Sequence, residues 1–152
     1  MKSPFTPFDD AVLVKERTRT VFRGEEYEYC DYCYRDPQGR EFVTADLGDR
    51  GLNELYDAYR KRHGIPDASQ ISALRQKCGL SASKMSLVLG FGTNQYRLYE
   101  KGALPNESNG KILALLVSSN AAMRFYIDHA KSCLTEKEYE KAVANLAGCS
   151  AG

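Results

Sequence analysis

The chain has 152 residues, of which 43% are hydrophobic and 27% charged, and its formal net charge at pH 7 is +1. This composition is typical of a globular protein and excludes a disordered or collagen-like chain. No run of about 20 apolar residues is present, so no membrane span is expected. The N-terminal residues lack the apolar segment of a secretory signal, and we therefore expect a cytoplasmic protein with reduced cysteines.

The charges are distributed unevenly along the chain. Residues 1–68 carry 11 Lys and Arg against 14 Asp and Glu, whereas residues 69–111 carry 6 against 2. An acidic segment can suit a basic protein partner, and a basic segment can face phosphate groups. The middle of the chain is therefore the part in which nucleic-acid contacts are expected.

Residues 11–44 show the alternation that is typical of β-strands. Thr18, Thr20 and Phe22 alternate with charged or apolar neighbours, and the stretch EEYEYCDYCY alternates tyrosines with smaller residues. The sequence DPQG then predicts a turn before a short third strand. We expect a small antiparallel sheet with an aromatic core. The expected core residues are Phe5, Phe8, Phe22, Tyr27, Tyr29, Tyr32, Tyr34 and Phe42.

A helix is expected directly after the sheet. Asp46 or Asp49 can cap its start, and Gly64 followed by Pro66 ends it. Its apolar residues at helical spacing are Leu52, Leu55, Tyr56 and Tyr59. These signals predict a β-rich N-terminal module with a helix over residues 1–64.

From residue 69 onward the pattern is helical throughout. Ser81 can cap the second helix of this part, and Thr135 with Glu138 forms a capping box before the last helix. The expected inward-facing residues are Ile71, Leu74, Cys78, Met85, Val88, Leu89, Ile112, Leu115 and Leu116. Residues 65–119 are expected to form one domain, and the helices in residues 120–152 could supply a dimer contact.

The segment GFGTNQYRLYEKG, residues 90–102, predicts the second half of a helix-turn-helix. Two short helices joined by a glycine-containing turn are typical of that motif. Thr93 is expected to cap the second helix. Tyr96 and Tyr99, three residues apart, share one face and are expected to pack on the first helix.

The outward residues of the second helix have the chemistry to recognise bases. Asn94, Gln95 and Arg97 lie at its N-terminal end, where a recognition helix contacts base edges. Asparagine and glutamine can bind adenine, and arginine can bind guanine. The alternative is an amphipathic surface helix whose polar residues are simply solvated.

The stretch ISALRQKCGLSASKMSLVLGFGTNQYRLYEKGALP resembles the XRE-type (lambda-repressor-like) helix-turn-helix family over about residues 69–117. This resemblance implies that Ser83 and Lys84 contact the DNA backbone. Lys101 and Lys111 are further expected phosphate contacts. The expected fold is α+β, with a small N-terminal antiparallel sheet and a helix followed by an all-α lambda-repressor-like domain.

A β-rich N-terminal module joined to this helix-turn-helix resembles the MqsA-like (YgiT-like) antitoxins. Their module is a zinc knuckle with two Cys-x-x-C pairs, but here Ser3 and Thr6 stand at the first pair. Only Cys30 and Cys33 remain, and a structural zinc site needs four nitrogen or sulfur ligands. Two reduced thiols and no cofactor are therefore favoured, with zinc shared between two chains as the alternative.

The recognition helix also departs from that antitoxin pattern. Asn94 matches it, but Leu98 occupies the position of its arginine, and Arg97 comes one residue earlier. One residue rotates a side chain by about 100° around the helix. Leu98 could instead touch a thymine methyl group or a partner chain, so the operator sequence does not follow from the resemblance.

These patterns together predict a DNA-binding transcriptional regulator. We expect an antitoxin-like autorepressor that binds double-stranded operator DNA as a homodimer and has a toxin as a possible partner. No nucleophile–base pair or phosphate-binding loop is visible, so an enzyme is not expected. The alternative is an interaction protein whose acidic, tyrosine-rich sheet binds a basic partner. The basic run Arg60, Lys61 and Arg62 could contact DNA or simply complement its helix dipole.

Overall fold

The computed structural model describes residues 1–5 and 8–148, and Thr6 lies outside them. A three-stranded antiparallel sheet precedes seven helices in this described part, so the expected α+β class is confirmed. The strands are β1 (Val12–Phe22), β2 (Glu25–Arg35) and β3 (Glu41–Phe42). The helices are α1 (Ala45–His63), α2 (Ala68–Cys78), α3 (Ala82–Leu89), α4 (Gln95–Glu100), α5 (Glu107–Ser118), α6 (Asn120–His129) and α7 (Glu136–Gly148).

The chain divides into two compact units, Met1–His63 and Gly64–Gly152. The first corresponds to the expected β-rich module with its helix. The second contains both the helix-turn-helix and the final helices, because Met123, Ile127 and Leu146 belong to the same apolar core as α2 to α5. Residues 65–119 and 120–152 therefore share one core and do not form two separate parts.

In the N-terminal unit, β1 pairs with β2 along its whole length, whereas β3 pairs only with the last residues of β2. Arg23 and Gly24 both have positive φ, as a two-residue hairpin turn between twisted strands requires. Helix α1 packs along β2. A side chain on the buried Gly51 would overlap the Asp31 carboxylate, so glycine allows this close approach.

Aromatic side chains from the strands and α1 form the centre of this unit. Tyr59 of α1 packs edge-on against Phe22 at 5.7 Å and lies 6.2 Å from Tyr27, measured between ring centroids. The prediction that Phe5 and Phe8 are core residues is wrong, because they are 49% and 64% exposed. Tyr59 of helix α1 takes the place in this core that the sequence pattern predicts for Phe5 and Phe8.

Asp36 organises the turn between β2 and β3. Its carboxylate accepts hydrogen bonds from the backbone N–H groups of Gln38 (3.0 Å) and Arg40 (2.9 Å), and from Nε of Arg40 (2.7 Å). Burial opposes ionisation, but these hydrogen bonds outweigh it and hold the pKa of Asp36 below its ordinary value of 3.8. The stabilisation is therefore present above that value and is lost as the pH falls through the lowered pKa.

We expect Asp36→Asn to lower the thermal midpoint of the N-terminal unit at about pH 7, because the amide keeps an acceptor but loses the charge that holds Arg40. The difference from the parent should shrink as the pH falls through the lowered pKa of Asp36, because the parent carboxyl then also becomes neutral. NMR signals of β1 to β3 followed during heating would measure both midpoints. A difference that is independent of pH would contradict a charge-based role.

The helical unit is closed by a continuous apolar core. Its fully buried side chains include Ile71, Cys78, Met85, Tyr96, Leu113, Leu116, Met123 and Ile127. The expected inward position of Leu115 is wrong, since this side chain is 51% exposed and Leu113 is buried instead. Helix α5 begins at Glu107, capped by Asn106, and buries Gly110, which lies against Ile65.

Candidate nucleic-acid interface

The turn between α3 and α4 is closed by backbone hydrogen bonds. Gly90 ends α3 in the left-handed region (φ 72°), and the N–H of Phe91 donates to the carbonyl of Ser86 at 2.9 Å. The prediction that Thr93 caps α4 is wrong. Asn94 is the residue before the helix, its φ is 63°, and its side chain makes no capping hydrogen bond. Asparagine tolerates this backbone conformation, and its amide stays exposed.

The hydroxyl group that caps α4 comes from α3. Ser86 is buried, and its Oγ accepts a hydrogen bond from the backbone N–H of Tyr96 at 3.1 Å. One of the unpaired N–H groups at the start of α4 is thereby satisfied. The sequence did not predict this role for Ser86. The only sequence signal for this capping role is that Ser86 is a polar residue on the otherwise apolar face that carries Met85 and Val88.

Two tyrosines anchor α4, as the sequence predicted. Tyr96 is fully buried and its hydroxyl donates to the carbonyl of Ile71 in α2 at 2.5 Å. Burial raises the pKa of Tyr96 far above its ordinary value, so this hydroxyl remains a donor. Tyr99 packs edge-on against Phe91, with ring centroids 5.8 Å apart, and accepts a hydrogen bond from Asn109 of α5. The orientation of α4 is therefore set by three neighbouring helices.

The opposite side of α4 forms an exposed face, which we call the α4 outer face. It consists of Arg97, Leu98 and Lys101, at the spacing of residues that share one side of a helix, together with the exposed Asn94 directly before the helix. Gln95 lies beside it and is half-buried. Within the described part of the chain, the Arg97 side chain makes no ion pair or hydrogen bond. The guanidinium is thus available to an external acceptor.

A half-buried ion pair between Arg75 and Glu100 fixes the end of α4 and balances the negative charge of Glu100. Glu100 accepts hydrogen bonds from Nε of Arg75 at 2.5 Å and from its Nη2 at 3.3 Å. This contact raises the pKa of Arg75, and Arg75 also donates to the carbonyl of Leu80. Because the charge of Glu100 is balanced, it does little to repel a polyanion near the α4 outer face.

The remaining expected phosphate contacts differ in their availability. Ser83 and Thr93 are exposed, and Lys111 is exposed with only a surface pair to Glu107 at 3.3 Å. Such a surface pair is weak and can be exchanged for a phosphate. Lys84 is less available than these residues, because its ammonium already has two acceptors.

The Lys84 ammonium is held within the helical unit. It donates to the carbonyl of Cys133 at 3.0 Å and lies 3.6 Å from the carboxylate of Glu138. The side chain is only partly exposed. A lysine with two internal acceptors ties α3 to the segment before α7. The expected contact of Lys84 with DNA phosphate stays a prediction, and it would require the ammonium to leave these two acceptors.

The basic run at the end of α1 is largely engaged as well. Arg60 is buried and its guanidinium bonds Asp57 at 3.0 Å. Arg62 donates to the carbonyl of Glu26 at 2.9 Å and lies over the Tyr27 ring. Of the three basic residues, Lys61 is the one with no described ion pair. The run is therefore a poor cationic patch.

The two remaining cysteines do not fit a zinc knuckle within one chain. Cys30 and Cys33 lie inside β2, three residues apart, and side chains at that spacing project to opposite faces of a sheet. Burial raises the pKa of the Cys33 thiol, which disfavours the thiolate that metal binding needs. Ser3 is buried and its hydroxyl accepts the N–H of Phe5 at 3.0 Å. Within one chain these residues do not converge on a common ligand position, and zinc shared between two chains stays an alternative.

Comparisons with known protein families, curated proteins and solved structures found no match to this chain. Among the described residues, no helix combines the length and the apolar character needed to cross a lipid bilayer.

Proposed function

We propose that this protein is a cytoplasmic transcriptional regulator that binds operator DNA as a homodimer through the α4 outer face. The observation that carries the proposal is the division of α4. Tyr96 and Tyr99 are buried, whereas Asn94, Arg97 and Lys101 are exposed on the opposite side. An anchored helix with an amide and a guanidinium at its exposed N-terminal end has the composition of a DNA recognition helix.

Each exposed group has a defined task in this proposal. Asn94 contacts adenine, Arg97 binds guanine through its two-pronged guanidinium, and Leu98 contacts a thymine methyl group in the major groove. Gln95 supports base reading from the margin of the face. The proposed contacts with phosphates, which set the register on the duplex, are Ser83, Thr93, Lys101 and Lys111.

The proposed mechanism of repression is steric. One helix-turn-helix buries a small area on DNA, so two copies bind half-sites about one helical turn apart. Occupation of a promoter then excludes RNA polymerase. The resemblance to antitoxins further suggests that the promoter is the protein's own and that a toxin is its partner. No cofactor and no enzymatic step enters this mechanism.

The test is binding of the purified protein to DNA from its own promoter region and to scrambled DNA of the same length, each at two salt concentrations. We expect tight binding to the promoter, a large preference over scrambled DNA, and a loss of affinity with salt that reflects the phosphate contacts. Weak and equal binding to both DNAs would contradict the proposal.

We expect the two lysines near the motif to have different roles, and this difference can be measured. Lys101→Ala should weaken binding to all DNA alike and reduce the salt slope of the dimer by about 2, because it removes one phosphate contact from each of the two copies. Lys84→Ala should leave the salt slope unchanged and lower the thermal midpoint of the helical unit, since it removes the bonds to Cys133 and Glu138. Salt-dependent DNA titrations and thermal unfolding of both variants would distinguish them. The assignment fails if Lys84→Ala changes the slope as much as Lys101→Ala does.

A further inference from the structure

The outer edge of strand β1 has no strand partner among the described residues. The order of the sheet is β1-β2-β3, so within the described residues β1 has a strand neighbour on one side only. Met1 exchanges backbone hydrogen bonds with Ala11, which lies before the strand begins. No residue of β1 is buried. Its outer N–H and C=O groups are therefore a ready template for an added strand.

The side chains of β1 on one face form a symmetric pattern. Successive residues of a strand point to opposite faces, and those on one face are about 6.6 to 6.8 Å apart. The patterned face carries Leu13, Lys15, Arg17, Arg19 and Val21. The apolar residues at its two ends are 51% and 68% exposed. The pattern is thus three cations in a row between two exposed apolar side chains.

The cations on this face exceed the acidic groups that meet them. Arg17 and Arg19 share one carboxylate, that of Glu28, at 3.1 Å and 2.7 Å. The hydrogen bond from Arg19, followed by the charges of both arginines, holds the pKa of Glu28 below its ordinary range. Lys15 is exposed and has no described ion pair. A carboxylate partner would therefore meet uncompensated positive charge here.

Some acidic residues of the sheet are engaged by basic neighbours, whereas Glu26 is exposed and has no described ion pair. Glu25 is in contact with Arg62 and His63 of α1, and Glu16 is paired with Arg35 at 2.8 Å. Paired carboxylates attract an added basic surface weakly. The charge that remains unbalanced along β1 is positive.

A second copy of β1 is a poor occupant of this edge. Antiparallel pairing centred on Arg17 would place Arg17 opposite itself and Lys15 opposite Arg19, and like charges opposite each other are destabilising. A phosphate backbone is also a poor occupant. A phosphate backbone has no apolar group that could pack on the exposed Leu13 and Val21. It also cannot form the ladder of backbone hydrogen bonds for which the strand edge is arranged.

We propose that the open edge of β1 binds an extended segment of another protein by β-strand addition. That segment carries acidic side chains at alternate positions, flanked by apolar ones on the same face. Backbone hydrogen bonds supply the affinity, and the acidic pattern opposite Lys15, Arg17 and Arg19 supplies the selectivity. Strand addition of this kind involves the N-terminal unit and does not depend on DNA binding by α4.

The test uses a synthetic peptide of about nine residues, the length that spans the patterned face. Its odd positions are valine, three glutamates and valine, and its even positions are threonine. We expect it to bind the full chain and to increase the hydrogen-exchange protection of backbone amides in β1. A peptide with lysine in place of glutamate should bind at least about tenfold more weakly, because its charges repel those of the strand.

Two further probes separate strand addition from simple charge attraction. The glutamate peptide with N-methylated backbone amides keeps its charge but cannot pair along an edge, so it should lose binding. Equal binding of the methylated and unmodified peptides would overturn the proposal. So would the absence of binding by the unmodified peptide, or stronger protection of β1 by a single-stranded oligonucleotide than by the peptide.

A matched pair of protein variants locates the site. Lys15→Glu places a like charge opposite the peptide and should weaken binding about three- to tenfold. Lys137→Glu makes the same change on exposed α7 and should leave binding unchanged. Amide spectra of both variants would show that the N-terminal unit is folded. Equal affinities for the two variants would place the peptide elsewhere and overturn the proposal.

Discussion

Replacing Tyr96 by alanine is expected to destabilise the helical unit by about 3 to 5 kcal/mol, the range for removing a fully buried aromatic side chain. A domain of this size has a total stability of about 5 to 15 kcal/mol, so the substitution should remove a large fraction of that stability. The ring is inaccessible to solvent, and its hydroxyl bonds the carbonyl of Ile71. Chemical denaturation followed by helical circular dichroism would measure the loss.

Two controls separate the contributions of this side chain. Tyr96→Phe keeps the ring and removes only the hydroxyl, so it should cost about 1 kcal/mol. Leu98→Ala, in the same helix but 46% exposed, should change stability by about 0.5 kcal/mol or less. If Tyr96→Ala were as mild as Leu98→Ala, the buried tyrosine would not be the anchor of α4. DNA binding by Tyr96→Ala should fall on every sequence, because α4 loses the buried side chain that holds it in place.

Arg97→Ala should produce the opposite pattern, with a selective loss of DNA binding and no loss of stability. A two-pronged contact with guanine contributes about 1 to 3 kcal/mol of discrimination, so affinity should fall about 5- to 150-fold for each half-site, and the two losses multiply on an operator that binds two copies. Affinity for scrambled DNA should change little. The side chain is exposed and packs in no core, so its removal leaves folding intact. Paired titrations on both DNAs would measure the preference.

The control for Arg97 is a lysine at the same position. Arg97→Lys keeps the positive charge but lacks the planar fork, so it should retain binding to scrambled DNA and still lose the operator preference. A variant that loses affinity equally on both DNAs would show that Arg97 contacts phosphate and not a base. Preserved preference in Arg97→Ala would move base reading to Asn94 or Leu98.

Much of the local fold could be predicted from the sequence. Gly79 and Gly90 end α2 and α3 in the left-handed region, and Ser81 caps α3 as expected. These features depend on residues within a few positions of one another, where spacing and backbone preference decide. The burial of Tyr96 and Tyr99 was predictable for the same reason.

Other features depend on residues far apart in the chain. Ser86 caps α4 across ten positions, and Lys84 reaches the carbonyl of Cys133 across 49. Nothing in the local pattern around Lys84 distinguishes a lysine that faces phosphate from one that holds another helix. Leu115 was misassigned because apolar residues lie on both sides of α5, and the helices that pack against it decide which of them are buried.

Periodicity, capping and turn residues were sufficient to define most elements, the boundary near residue 64 and the division of α4 into an aromatic and a polar side. These signals act over one or two turns of chain, so they can be read without the rest of the molecule. The set of cations that remain available to a partner depends instead on tertiary contacts. Folding engages Lys84 and Arg62, leaves Arg97 exposed, and leaves the cationic face of β1 open. The reason is that a charge is neutralised by whatever group folding brings within a few ångströms, irrespective of its position in the sequence.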